Sequence, residues 1–119
     1  MKEKLFDSEA KVMDIIWEKS PISAKEISLI AAEKIGWNKN TTYTVIKKLE
    51  AKGFIKREDP HFICTPLVSR DRIQRSEAAS LVKKVFGGSR SALFSALIEE
   101  EPLSEEEVNA LRDLIEKKG

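Results

Sequence analysis

The chain has 119 residues, 21 Lys and Arg against 20 Asp and Glu, and 41% hydrophobic content. That length closes one core or two small ones, which excludes a large α/β enzyme domain, and the apolar share excludes a disordered polyelectrolyte. No apolar run approaches the ~18 residues of a membrane span, Met1-Lys2-Glu3-Lys4 has no signal-peptide core behind it, and the single cysteine, Cys64, excludes an internal disulfide; a soluble, cytoplasmic chain is expected.

In chain order, residues 7–19 carry Val12, Ile15 and Ile16 at helical spacing beside Met13, with Asp7 or Ser8 able to cap the first turn. A second helix starts at Pro21-Ile22-Ser23-Ala24-Lys25-Glu26-Ile27, where Ser23 and Glu26 have capping-box spacing and Ile22 and Ile27 occupy the staple positions; it runs to about Ile35 and stops at Gly36. Asn38 caps a third helix with the stripe Thr42, Val45, Ile46, Leu49, and Gly53 ends it. Phe54 to Glu58 and Phe62 to Thr65 read as two short strands around the turn Asp59-Pro60-His61, a β-hairpin.

Three helices, a tight turn between the second and third, and a hairpin give the order of a winged helix-turn-helix. On a wheel of about 100° per residue, Asn40, Thr44 and Lys47 of the third helix lie opposite its apolar stripe, with Tyr43 and Lys48 at the flanks. A solvated outer face is the ordinary reading of such a row. Two details favour DNA: amide, hydroxyl and phenol groups replace the usual Glu and Lys mixture, and no acid occurs from Trp37 through Leu49. The overall net charge of +1 hides a dipolar arrangement. From Trp37 to Arg57 six bases (Lys39, Lys47, Lys48, Lys52, Lys56, Arg57) face one acid, Glu50, a balance of +5; from Glu99 to Gly119 three bases face eight acids, a balance of −5.

After Pro66-Leu67-Val68 the character changes. Ser69 to Phe86 reads as a helix with Ala78, Leu81, Val82, Val85 and Phe86 on one side, and Gly87-Gly88 breaks it. Ser91 to Glu100 forms a shorter helix with Leu93, Phe94, Leu97 and Ile98. Pro102-Leu103-Ser104 to Glu107-Val108 repeats the staple and capping box and opens a last helix with Val108, Leu111, Leu114 and Ile115 apolar. Three short helices cannot enclose these faces alone, so burial against a partner is expected, an identical chain by default.

The fold class that emerges is mainly α with a small β-hairpin: a winged helix-turn-helix at 1–68, followed by a C-terminal helical dimerisation region at 69–119. Val12-Met13-Asp14-Ile15-Ile16-Trp17, Trp37 leading into Asn40-Thr41-Thr42-Tyr43-Thr44-Val45, then Leu49, Lys52-Gly53-Phe54-Ile55 and Thr65-Pro66-Leu67-Val68 resemble the penicillinase-repressor family (BlaI/MecI type), as does the segment from Leu103-Ser104 to Leu114. The resemblance covers nearly the whole chain. It implies a homodimeric repressor on pseudo-palindromic promoter DNA that controls a resistance or cell-envelope gene, inactivated in family members with a membrane sensor protease by a cut in the dimerisation region. Three positions depart from the family pattern: where members often have Pro, Lys and Arg the third helix has Lys39, Asn40 and Tyr43, so the operator sequence does not carry over. The family's Asn-Phe scissile bond aligns with Ala96-Leu97, and the Cys-x-Cys tail of copper-responsive relatives is missing.

The remaining conspicuous residues have structural explanations. Trp17 and Trp37 read as packing anchors, since duplex DNA exposes no base faces for stacking. Cys64, in the apolar run of a wing strand, reads as a buried inert thiol. His61 is a lone imidazole at the wing tip, close to phosphate if DNA binds, with no second ligand at metal spacing. The acids at 105–107 sit in the first turn of a helix, where the dipole favours them. No triad, P-loop or Gly-rich phosphate cradle is present, so neither an enzyme nor a cofactor is expected. The DNA-reading set is then Lys39, Asn40, Thr41, Tyr43, Thr44, Lys47, Lys48, Lys56, Arg57 and His61. The dimerisation set is Leu81, Val85, Phe86, Leu93, Phe94, Leu97, Ile98, Val108, Leu111, Leu114 and Ile115. The rival expectations are a winged helix that docks a partner protein, and a repressor with a different inducing signal.

Overall fold

The computed structural model describes residues 4–118; the reading of the first three residues as lacking a signal core lies outside them. The described chain divides into two units, one ending at Ala78 and the other starting at Ala79.

The first unit contains α1 (Asp7–Lys19), β1 (Ile22–Ser23), α2 (Ala24–Lys34), α3 (Lys39–Ala51), β2 (Ile55–Glu58), β3 (Ile63–Pro66) and the first part of α4 (Arg70–Val85). The stripes read from the sequence are its core: Val12, Met13, Ile15 and Ile16 of α1, Ile27 and Ala31 of α2, and Val45, Ile46 and Leu49 of α3 are buried together with Phe54, Ile55 and Cys64. Burying an aliphatic side chain stabilises by about 1.5–3 kcal/mol, and this cluster is the main force holding α3 on the body. Trp17 and Trp37 pack at its margin, as expected of anchors. Trp17 Nε1 donates to the Val68 carbonyl at 2.9 Å, and the Arg70 guanidinium lies 5.3 Å from the Trp17 ring while reaching Asp14 Oδ1 at 3.4 Å.

The helix signals held with one correction. Ser23 Oγ accepts from Glu26 N at 3.1 Å and Asn38 Oδ1 from Thr41 N at 2.8 Å, so α2 and α3 start where their caps stand. Gly36, at φ +81°, closes the α2 end with its N–H on Ala31 O at 3.0 Å, a left-handed geometry that a side chain would strain. In α1, however, neither Asp7 nor Ser8 is the cap. Both are inside the helix, the cap position is Phe6, and the carboxylate of Glu9 accepts from Phe6 N at 3.0 Å in place of a capping side chain.

The wing is larger than a hairpin. β1, two residues long, pairs antiparallel with β3 (Ile22 opposite Cys64, Ser23 opposite Ile63), and β2 pairs with the other side of β3, giving a three-stranded sheet in the order β1-β3-β2. The Phe62 carbonyl accepts from Ala24 N at 3.0 Å, which ties the start of α2 to the wing turn. In that turn His61 and Phe62 both occupy the left-handed region, φ +74° and +54°.

The division between the units falls inside α4, not in the loop at 67–68, because Ile73 is buried in the first core and Glu77 Oε2 accepts from Leu5 N at 3.1 Å. The second unit comprises the end of α4, α5 (Arg90–Glu100) and α6 (Glu105–Lys118). The capping box read at Ser104 forms, Ser104 and Glu107 exchanging both bonds at 2.9 and 3.1 Å, and α5 starts one residue before Ser91 on a cap the sequence reading did not name, Ser89 Oγ accepting from Ala92 N at 3.0 Å. No described residue of this unit is buried. Leu81, Val85, Phe94, Leu97, Ile98, Val108, Leu114 and Ile115 are exposed, and Phe86, Leu93 and Leu111 are half-buried.

Candidate nucleic-acid interface

α3 owes its orientation to its own pattern. Thr42, Val45, Ile46 and Leu49 face the core, and Thr42 Oγ1 is satisfied by the Asn38 carbonyl at 3.3 Å, so the opposite side must face out. That side presents Asn40, Thr44 and Lys47, with Lys39, Thr41 and Lys48 also exposed. Thr44 Oγ1 donates to the Asn40 carbonyl at 2.9 Å, which fixes the hydroxyl rotor and leaves its lone pairs outward as acceptors. The row offers amide, hydroxyl and ammonium groups on one strip of helix, the inventory that base edges and phosphates require.

Tyr43 is placed less freely than the wheel implied. It is half-buried, its ring meets Phe62 edge-on with centroids 5.9 Å apart at 90°, and Lys39 Nζ lies 5.8 Å from its centroid. On β2, alternation gives Lys56 and Arg57 opposite faces. Arg57 is opposite Cys64 and so reaches toward α3, where Nε is 3.7 Å from Glu50 Oε2 and the guanidinium sits 4.4 Å from the Phe62 centroid. Lys56 Nζ is 3.5 Å from Glu58 Oε2. His61 is exposed at the tip.

These pairings correct the local balance of +5. Lys52 belongs to the body of the unit: its Nζ is 2.7 Å from Glu9 Oε1 and 3.2 Å from the Lys4 carbonyl. Arg57 and Lys56 each have a carboxylate partner. Among the described residues Lys39, Lys47 and Lys48 have none, and all three are on α3, so the unbalanced positive charge of this region is carried by that helix. Glu50, the one acid between Trp37 and Arg57, and Phe62 both contact Arg57, and Phe62 does not stand out in the sequence; His61 and Phe62, the left-handed pair, follow a proline turn, the one local signal for it.

Burial pushes the Cys64 thiol up from 9.0 to about 11, with Glu50 adding to the rise and Arg57 opposing it, which makes the group inert near neutral pH. No group of acids, His and Cys among the described residues could hold a metal ion, and no described helix is long and apolar enough to cross a membrane.

Comparison with known proteins gives a consistent result. Residues 5–117 match the family described as penicillinase repressor. The methicillin resistance regulatory protein MecI of Mammaliicoccus sciuri is 32% identical over 97% of this chain and 95% of its own, and the penicillinase repressor of Bacillus licheniformis is 25% identical over 96% and 91%. Among solved structures, the DNA-binding domain of the repressor BlaI superposes with a TM-score of 0.55 at 25% identity, covering 59% of this chain and 88% of that one. The monomeric form of Bacillus licheniformis BlaI in complex with the blaP half-operator superposes with a TM-score of 0.52 at 26% identity, covering 60% and 89%.

Proposed function

The chain belongs to the penicillinase repressor family, and we propose that it is a cytoplasmic homodimeric repressor that lays α3 in the major groove of a pseudo-palindromic operator. It is a DNA-binding transcriptional repressor and not an enzyme. The observation that carries the proposed mode of reading is the outer strip of α3, where Asn40, Thr44 and Lys47 stand exposed and where Lys39, Lys47 and Lys48, the cations between Trp37 and Arg57 with no carboxylate partner among the described residues, are all found. Asn40, Tyr43 and Thr44 lie nearest the bases, and Lys39, Lys47 and Lys48 bind phosphate or base edges. Thr41, Lys56, Arg57 and His61 form the flanks. Helix N-terminal amides add donors for phosphate.

The second unit supplies the dimer in this reading. With none of its described residues buried, it has the composition of half a core. The dimerisation set named from the sequence is exposed or half-buried throughout. Cleavage at Ala96-Leu97 by a membrane sensor protease would cut α5 inside that set and unlink two half-site modules, a loss of about 10²- to 10⁴-fold in affinity for a palindrome. The controlled gene, on the same reading, is one of antibiotic resistance or the cell envelope.

The test is selection of bound sequences from random DNA, followed by titration on the selected site and on unrelated DNA at several salt concentrations. Lys47→Ala and Lys48→Ala should weaken both and lower the salt slope by about one unit, whereas Asn40→Ala and Tyr43→Ala should change base preference by about 1–3 kcal/mol. Equal losses on both DNAs for all four variants would refute this division of labour.

A further inference from the structure

Phe62 contacts the two sides of the interface, and its backbone is held where a phenylalanine rarely goes. Its φ of +54° is in the left-handed region, as is that of His61 before it, and bulky residues held there concentrate at places where geometry matters to function. Its carbonyl accepts from Ala24 N, at the first residue of α2. The Arg57 guanidinium covers its ring at 4.4 Å, and the ring in turn meets Tyr43 edge-on. Backbone and side chain therefore join the turn of the wing, the start of α2 and the outer flank of α3.

Tyr43 packs against the margin of the core, and two further groups meet its ring, the Phe62 edge and the Lys39 ammonium. The two differ in what DNA does to them. Lys39 is a flexible exposed cation that phosphate draws away, since an ammonium over a ring at an exposed site is held weakly. The Phe62 side chain carries no charge for phosphate to draw, and its backbone is tied by the bond from Ala24 N to its carbonyl at 3.0 Å.

We propose that Phe62 is a positioning residue for sequence reading: its ring sets the direction of the Tyr43 phenol, and thereby the base-pair preference at the position Tyr43 meets. This rests on the reading of Tyr43 as a base-facing residue. A phenol aimed before binding loses less freedom on contact, so the discrimination it supplies depends on the clamp behind it. The prediction is specific to the aromatic edge. Phe62→Tyr should preserve the base preference, whereas Phe62→Leu, which keeps apolar bulk without the ring, should not.

The test uses the full chain and double-stranded DNA carrying each of the four base pairs at every position of the selected site. Phe62→Ala and Phe62→Leu are expected to reduce discrimination about fivefold or more at the base pair whose preference Tyr43→Ala alters, and nowhere else. Affinity for unrelated DNA and its salt slope should stay within twofold, and Phe62→Tyr should restore the wild-type profile. The double variant Tyr43→Ala/Phe62→Leu should match Tyr43→Ala alone. If Phe62→Ala does not fold, Phe62→Leu and Phe62→Tyr decide. A wild-type profile for Phe62→Leu alongside a changed one for Tyr43→Ala overturns the positioning role, as does an equal loss at every position. An unchanged profile for Tyr43→Ala overturns instead the reading of Tyr43 on which the role depends.

Discussion

Replacing Lys52 by methionine tests how α3 is fixed to the body. The Lys52 ammonium lies 2.7 Å from Glu9 Oε1, 3.2 Å from the Lys4 carbonyl and 4.6 Å from the Phe6 ring, and the Glu9 side chain is only 3% exposed. Without the lysine, that carboxylate keeps one neutral donor, Phe6 N. Removing one partner of a fully buried pair costs about 3–5 kcal/mol. Lys52 itself is 31% exposed, so water can reach the space it leaves, and about 2–3 kcal/mol is expected. For a unit of this size the loss corresponds to a fall in Tm of about 10–20 °C. The assay is denaturation at a fixed protein concentration followed by the fluorescence of Trp17 and Trp37, both in the first unit. Lys52→Met/Glu9→Gln should recover part of the loss, because no uncompensated charge then remains. A loss under about 0.5 kcal/mol for Lys52→Met, or a double variant worse than the sum of the singles, would refute the argument.

Glu50→Gln removes the carboxylate that faces Arg57 and should raise affinity for any DNA by up to about fivefold while steepening the salt slope by up to one unit; an unchanged slope would show that Arg57 stays away from phosphate. Leu97→Asp and Ile115→Asp each place a charge on an apolar face of the second unit and should convert a dimer seen by sedimentation at micromolar concentration into monomer; a dimer that persists in both would place the interface elsewhere. The raised pKa of Cys64 means that the folded thiol stays protonated where an unfolded one ionises. Its contribution to stability is therefore complete below pH 9 and is lost as pH rises toward about 11, and alkylation of the native protein should be slow at pH 8 and fast after denaturation.

Most of what was decided locally was legible in the sequence. Capping at Ser23, Asn38 and Ser104, the stops at Gly36 and Gly53, and the stripe from Thr42 to Leu49 are patterns within one or two turns of chain, and each appears where its residues are. What escaped depends on partners far along the chain. β1 has two residues and exists because Ile63 and Cys64 come opposite them, so no alternation could announce it. Lys52 counts toward the local charge balance of +5, and its partner Glu9 stands 43 residues earlier in the chain. Tyr43 was legible as a flank residue of α3, but the ring that steadies it belongs to the wing. Phe6 escaped for a different reason, since its cap bond uses the Glu9 side chain and none of its own.

The strand order β1-β3-β2 also has a bearing on solubility. A sheet with an open margin invites another chain to add a strand, and this one has two margins. Along one, β1 is only two residues long before the chain turns into α2, too short a row of backbone groups to template a neighbour. Along the other, β2 carries Lys56, Arg57 and Glu58 in succession, and Pro60 follows in the turn. Charge and brevity thus guard the two sides, and copies of the chain are turned away from strand-to-strand growth on the first unit. A wing with valine at both Lys56 and Glu58 would lose that guard on its longer side, and concentrated samples would be expected to form β-rich aggregates while the helical core beneath stayed intact.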